Sequence, residues 1–119
     1  MNDYTALVKS EKYISVCFYI TQPNIMAIGE KMEAVCPEAY MNGYNWEAFF
    51  NYYLKQHAPD LLEGMNTDPE ADMYAAFYPL TEENEAKAHK FVEMIRSLVE
   101  HEEELCRIVE EEGSEIEWD

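Results

Sequence analysis

Three histidines and many carboxylates are the side chains in this 119-residue sequence that could do acid–base or metal chemistry. His57 is followed by Asp60 and Glu63, and His101 is flanked by two glutamates. Either group could begin a metal site, but neither has a third and fourth ligand at the spacing that zinc sites show. We therefore interpret these two histidines, and His89, as solvated or hydrogen-bonded side chains.

Sequence motifs of catalysis are also missing from the chain. It contains no HExxH pair, no nucleophile elbow and no phosphate-binding glycine loop. Paired carboxylates are so abundant that no particular pair is informative. The sequence thus predicts no catalytic residue, no metal site and no cofactor. An enzyme remains the first alternative, and a pocket that holds His57 or His101 among converging polar groups would indicate one.

Acidic charge is the strongest compositional signal. The 25 Asp and Glu residues outnumber the 8 Lys and Arg residues, which gives a formal net charge of −17. More than half of the acids lie in residues 81–119. Such a field repels nucleic acid and anionic membranes, because phosphate binding needs lysine and arginine. It would attract a basic macromolecule instead. The simpler interpretation, that acidity only keeps the protein in solution, stays open.

Length and cysteine usage indicate one domain, residues 1–119, in a reducing compartment. The chain is long enough to bury a hydrophobic core without a disulfide or structural metal. Cys17, Cys36 and Cys106 are far apart and form no CxxC pair, so we expect buried, reduced thiols in a cytoplasmic protein rather than a disulfide or a metal ligand. No apolar run is long enough to span a bilayer, and the N-terminal residues lack the pattern of a secretory signal.

The N-terminal part predicts a hairpin followed by a helix. Residues Tyr13–Ile20 alternate between apolar and partly polar side chains, the period of a half-buried strand. Tyr4–Val8 is expected to pair with this strand through a turn at Ser10-Glu11. Apolar residues then recur every three or four positions, which predicts a helix with Asn24 near its N-cap that ends before Pro37.

The C-terminal half predicts one more central strand, two helices and a short final strand. Met73–Tyr78 is apolar on both faces, as in a central strand. Thr81 suits an N-cap, and the apolar stripe that follows bends near His101 and stops at Gly113. Ile116–Trp118 alternates with acids, which indicates a last strand. The predicted fold is α+β, a small antiparallel sheet with about four helices packed mainly on one face.

Between these halves, Met41–Tyr53 contains six aromatic rings. Asn42-Gly43 is a turn pair in which glycine can adopt positive φ, and Asn45 suits an N-cap. The residues after it follow helical spacing and predict one buried stripe. This stripe consists of Trp46, Phe49, Phe50, Tyr53, Leu54 and His57. Tyr44 and Tyr52 lie off the stripe and are therefore freer to face a partner.

The same segment carries a resemblance to a known family. Asn42 followed by Gly43–Trp46, then Tyr53-Leu54 and Ala58–Leu61, is similar to the signature of immunity protein family fifty-one of bacterial polymorphic toxin systems. Asp68–Tyr74 resembles the acidic turn that leads into a strand of that family. The resemblance covers most of the chain, from about Tyr13 to the C-terminal helices.

What the resemblance implies is a small cytoplasmic α+β protein that works by binding. An immunity protein protects the producing cell, or its siblings, by covering the active site or an adjoining surface of a secreted toxin domain. One departure is Asn45, which stands where the family pattern implies an aspartate. Both residues cap helices, so the fold prediction is unchanged. A toxin contact by that carboxylate would be lost here.

Charge then suggests the chemistry of the partner. Many such toxins are nucleases with basic clefts, and the acids of this chain could lie where phosphates would. The candidate partner-binding residues are Tyr44, Tyr52, Asp68, Glu70, Asp72, Glu102, Glu103, Glu104, Glu110, Glu111 and Glu112. A charged run on a helix is more often a solvated face. A second alternative is an acidic adaptor module for some other basic partner. The many tyrosines and methionines would also suit a self-association surface.

Overall fold

The computed structural model describes residues 4–119 and shows an α+β fold, as the sequence predicts. Four helices and four strands make up most of it, with two short 3₁₀ turns at Pro59–Leu62 and Gly113–Glu115. The strands are β1 (Thr5–Lys9), β2 (Tyr13–Phe18), β3 (Asn66–Thr67) and β4 (Tyr74–Pro79). The helices are α1 (Pro23–Val35), α2 (Gly43–His57), α3 (Glu82–Glu100) and α4 (Glu102–Glu112).

The sheet is antiparallel throughout, with the strand order β1-β2-β4-β3. Its register places Ile14 opposite Tyr78, Val16 opposite Ala76, and Phe18 opposite Tyr74, all on one face and all buried. α2 and α3 pack on this face. The opposite face is open to solvent and displays Val8, Tyr13, Ser15, Cys17 and Phe77. The prediction that the helices cover mainly one face is therefore confirmed.

Aromatic packing between α2 and the sheet forms the centre of the core. The Trp46 ring meets Phe18 edge-on at 4.9 Å between centroids and stacks against Phe50 at 5.6 Å. Phe50 in turn contacts Tyr74 of β4 and Phe91 of α3, at 5.0 and 5.4 Å. Offset and edge-to-face pairs at these separations are favourable beyond simple burial. The aromatic stripe is thus core, except that Tyr53 is half-buried and the last member, His57, is exposed.

The predicted first helix is confirmed, with Asn24 two residues after the N-cap, Gln22. Proline is suited to the first helical position because it lacks an N–H that would be unpaired there. Two other local predictions are wrong. α2 begins at Gly43, and its N-cap is Asn42 rather than Asn45. Residues 116–119 form no strand. The Trp118 indole N–H donates to the carbonyl of Gly113 at 3.0 Å, so the tail folds back onto the end of α4.

The predicted break between the last two helices is confirmed. His101 ends α3, its backbone N–H donates to Leu98 and Ser97 carbonyls, and α4 starts at the next residue. Thr81 caps α3 as predicted, accepting a hydrogen bond from the Asn84 N–H at 3.0 Å. Gly113 follows α4, but with φ −59°, so it does not use the left-handed conformation that glycine usually provides at this position.

Two buried tyrosines of β4 provide a matched pair for measuring one hydrogen bond. The Tyr78 hydroxyl donates to the Leu61 carbonyl at 2.5 Å, whereas the Tyr74 hydroxyl has no partner among residues 4–119. Tyr78→Phe should lower the free energy of unfolding by about 1–3 kcal/mol, because the buried carbonyl loses its donor. Tyr74→Phe should be neutral or stabilising, because it removes a buried unsatisfied group. Urea unfolding of both variants measures this. Equal losses of stability in the two variants would contradict the assignment of a buried hydrogen bond to Tyr78 and none to Tyr74.

Candidate functional site

Six of the candidate acids lie at the two ends of α4. Glu102, Glu103 and Glu104 form its first turn, where the positive end of the helix dipole favours carboxylates. Glu110, Glu111 and Glu112 form its last turn, which holds no basic residue and where the dipole disfavours acids. Helix stability therefore accounts for the first group of acids and leaves the second unexplained.

Four of these six acids have partners within the protein. Lys31 of α1 forms an ion pair with Glu102, and Arg107 pairs with both Glu104 and Glu111. The Arg107 guanidinium lowers the pKa of the Glu104 carboxyl, and the pKa of Arg107 is raised in return. Glu112 accepts a hydrogen bond from the hydroxyl of Tyr52. All these pairs are partly or largely exposed, so each contributes little stability.

An open groove of about 350 Å³ runs between α1 and α4. Its lining mixes charges of both signs with an apolar floor: Lys31, Val35, Glu102, Glu103, Cys106, Arg107 and Glu110. Glu103 and Glu110 have no ion pair or side-chain hydrogen bond to any described residue. Burial, followed by the nearby Glu102 carboxylate, raises the pKa of the Cys106 thiol. A protonated thiol is a weaker nucleophile than a thiolate.

Tyr52 is less available to a partner than the sequence predicts. It is half-buried on α2, and its hydroxyl is held by the Glu112 carboxylate. This hydrogen bond is the main reason that the pKa of Tyr52 is raised to about 12. Tyr44, by contrast, is exposed, as predicted from its position off the aromatic stripe. The two tyrosines are two helical turns apart on α2 and do not form one patch.

The Asn42–Trp46 motif joins the start of α2 to the preceding loop and to the C-terminal residue of the chain. The Asn42 side chain accepts a hydrogen bond from the Asn45 N–H at 2.9 Å and so caps α2. Asn45, 4% exposed, donates from its side-chain amide to the Tyr40 carbonyl at 2.8 Å. Its amide oxygen accepts from the Asp119 N–H at 2.7 Å. Asn45 is therefore an internal connector, which explains why a residue that can both donate and accept stands there.

Gly43 of the motif is required for close approach and not for positive φ. A Cβ at this position would lie 1.8 Å from the Glu70 carbonyl oxygen and 2.3 Å from that of Met73. Its N–H donates to the Ala71 carbonyl at 3.0 Å. Among the described glycines, positive φ occurs at Gly64. Gly43 thus fixes the start of α2 directly against the acidic turn that carries three candidate acids, Asp68, Glu70 and Asp72.

This junction borders a second groove, of about 200 Å³, that sequence reasoning missed. We call it the Tyr40 groove; it lies between α1, the loop before α2 and the turn before β4. Its lining combines apolar side chains with three exposed acids. The apolar side chains are those of Ile20, Met26, Tyr40 and Met41, and the acids are Glu30, Glu33 and Asp72. Of the candidate residues, it contains Asp72. A sequence signal existed in the helical spacing of Met26, Glu30 and Glu33 on α1.

The histidines do not assemble a metal site. His57 lies against Tyr53, with ring centroids 4.4 Å apart, and His101 Nδ1 is 2.7 Å from the Ser97 carbonyl oxygen. His89 is exposed on α3. Across residues 4–119, no group of three or more His, Cys, Asp or Glu side chains is arranged to hold a metal ion. None of the helices in that range is long and apolar enough to cross a membrane.

These features define a small acidic α+β domain whose candidate residues lie on open surfaces. The chain belongs to the family described as Immunity protein 51, whose sequence model matches residues 5–114. The predicted resemblance is thus confirmed over most of the chain. No curated protein and no solved structure matches this chain.

Proposed function

We propose that this protein neutralises a cognate secreted toxin domain by binding to it and covering its active site or an adjoining surface. Membership of an immunity-protein family is the observation that carries this proposal. We place the interaction in the cytoplasm, as one domain acting without a cofactor. The free state of Cys17, Cys36 and Cys106 fits a reducing compartment.

We further propose that the toxin surface is basic, as in a nuclease that binds phosphates. The net charge of −17 would attract such a surface and repel nucleic acid. Five candidate acids have no ion pair or side-chain hydrogen bond to described residues and are free to meet a partner: Asp68, Glu70, Asp72, Glu103 and Glu110. Of these five, Glu110 lies in the last turn of α4 and opposes the helix dipole, which suggests a role other than stability.

The internally paired acids should contribute less to toxin binding. Glu102, Glu104 and Glu111 would have to leave Lys31 or Arg107 before meeting a toxin cation, or share it. Because exposed ion pairs are weak, this exchange is feasible and lowers the net gain. Tyr44 adds an exposed ring, whereas Tyr52 is half-buried and its hydroxyl is held by Glu112.

Co-expression with the toxin domain encoded next to this gene tests the function directly. Cells that produce the toxin domain should grow only when this protein is present, and the two proteins should co-purify. An unrelated neighbouring gene, with no protection against any toxin domain, would favour the alternative of an acidic adaptor. Protection without co-purification would contradict neutralisation by binding.

The basic character of the toxin surface predicts a strong effect of salt on association. Raising the ionic strength from about 0.01 to about 0.15 M shortens the screening length from about 30 to about 8 Å. The association rate constant should fall about tenfold or more, while the dissociation rate changes much less. Stopped-flow or biolayer measurements over a salt series follow both constants. An association rate that is independent of salt would rule out electrostatic attraction and leave neutralisation by binding intact.

A further inference from the structure

The Tyr40 groove contains the most exposed large hydrophobic side chains of the described residues. Tyr40 is 65% exposed and Met26 is 55% exposed, the two highest values among the large hydrophobic residues of the described chain. Both line the groove, together with Met41 and Ile20. Large apolar side chains that gather in a concave surface are typical of protein-binding sites, whereas scattered ones are not informative.

The groove is held in shape by contacts on each of its sides. On the first side, Gly29 of α1 lets Met41 lie close, since a Cβ on Gly29 would be only 3.1 Å from the Met41 Cβ. On the second, the Tyr40 carbonyl accepts hydrogen bonds from the Asn45 side chain and the Asn42 N–H, both at 2.8 Å. A preformed surface loses less conformational entropy on binding.

The third side is the acidic turn, which the Gly43 contact fixes against the start of α2. The Gly43 N–H donates to Ala71, next to Asp72 in the groove wall. The Asn42–Trp46 motif thus does more than cap a helix. It joins the loop that displays Tyr40 to the turn that displays Asp72.

Charge decides which occupant fits this apolar surface. Glu30, Glu33 and Asp72 line the groove, all three are exposed, and none has an ion pair or side-chain hydrogen bond to a described residue. No Lys, Arg or His is among the lining residues. A purely apolar occupant would leave these carboxylates without partners and would bury part of them, which is unfavourable.

We propose that the Tyr40 groove is the docking site for an arginine side chain of the toxin. The guanidinium would stack on the Tyr40 ring and reach the surrounding carboxylates, and Met26 and Met41 would cover its aliphatic part. This inference rests on the proposed function, because it names the part of the surface that engages the toxin.

Binding of purified variants to the neighbouring-gene toxin domain tests the groove. The toxin domain is separated from its complex in denaturant and refolded, and Kd is measured by titration calorimetry. Tyr40→Ala and the double variant Glu30→Gln/Asp72→Asn should each weaken binding about tenfold or more, since anchor residues typically cost more than 1 kcal/mol when removed. Protection in the growth assay should fall in parallel.

Matched controls change the same residue types elsewhere. Tyr13→Ala removes an exposed tyrosine from the open face of the sheet, and Glu93→Gln/Glu100→Gln removes two exposed carboxylates from α3. Neither control lines the groove, so both should bind as the unaltered protein does. Circular dichroism and thermal unfolding should show that all four variants are folded.

The outcomes separate this inference from the proposed function. If the unaltered protein binds the toxin and the groove variants bind equally well, the groove is not the docking site and neutralisation by binding stands. If Tyr40→Ala weakens binding but the double carboxylate variant does not, the occupant is apolar and the arginine is wrong. If the unaltered protein neither binds nor protects, the proposed function fails and the inference fails with it.

Discussion

Replacing Trp46 with alanine is expected to lower the free energy of unfolding by about 3–5 kcal/mol. The side chain is 1% exposed and contacts rings from the sheet and from its own helix. Its removal deletes a large buried apolar surface and leaves a cavity between α2 and β2 that the rigid rings of Phe18 and Phe50 cannot fill. Since domains of this size are stable by about 5–15 kcal/mol, the variant should lose a large part of its stability.

Chemical denaturation with tryptophan-independent detection, such as far-ultraviolet circular dichroism, measures this loss. Tyr40→Ala is the matched control, because it also removes a large aromatic ring from the same region, but from an exposed position. Its stability should change by no more than about 0.5 kcal/mol. A similar small change for Trp46→Ala would mean that the aromatic segment is not core. The segment Met41–Tyr53 would then be a candidate binding surface.

Gly43→Ala is the second substitution with a large expected effect. The new methyl group would overlap the carbonyl oxygens of Glu70 and Met73, at 1.8 and 2.3 Å. These are backbone atoms and cannot rotate away, so α2 and the acidic turn must separate. We expect a loss at or above the roughly 3 kcal/mol upper end of typical overpacking effects. Toxin binding should weaken as well, because the separation displaces Asp72 from the groove.

Gly29→Ala provides the same chemical change in a milder setting. The added methyl would lie 3.1 Å from the Met41 Cβ, so the loop that carries Met41 has to shift by only a few tenths of an ångström, and no backbone atom of that loop lies closer than 4.0 Å. Gly29 also lies inside α1, where alanine is favoured over glycine by about 1 kcal/mol. The net change in stability should be close to zero. If Gly43→Ala also left the free energy of unfolding almost unchanged, the inferred direct contact between α2 and the acidic turn would be contradicted.

Patterns of short range allowed the fold class to be predicted. The alternation along β2 and the apolar periodicity of α2 and α3 identified elements that the structure confirms. In both cases the pattern reflects one face buried against the rest of the protein. The prediction of a final strand is wrong because it relies on local alternation alone. Ile116 and Trp118 alternate with acids, but alternation alone does not supply a neighbouring strand, and the indole found a closer acceptor at Gly113.

The N-cap of α2 could not be predicted from the local sequence alone. Asn42 and Asn45 can both cap α2, and the sequence contains nothing local that favours one of them. The choice depends on residues far away in sequence: the close approach of Glu70 and Met73 to Gly43, and the Asp119 N–H that binds Asn45. Only the assembled fold brings those partners to this point.

Sequence alone determined the acidic character of this protein, its aromatic core helix and its family. Tertiary structure decided which acids are free, since Lys31 and Glu102 meet although 71 positions separate them. It also assembled the Tyr40 groove from Met26, Tyr40 and Asp72, which lie on three separate segments. Composition and periodicity are properties of neighbouring residues, whereas a surface is made by whichever distant residues the packing of the core brings side by side.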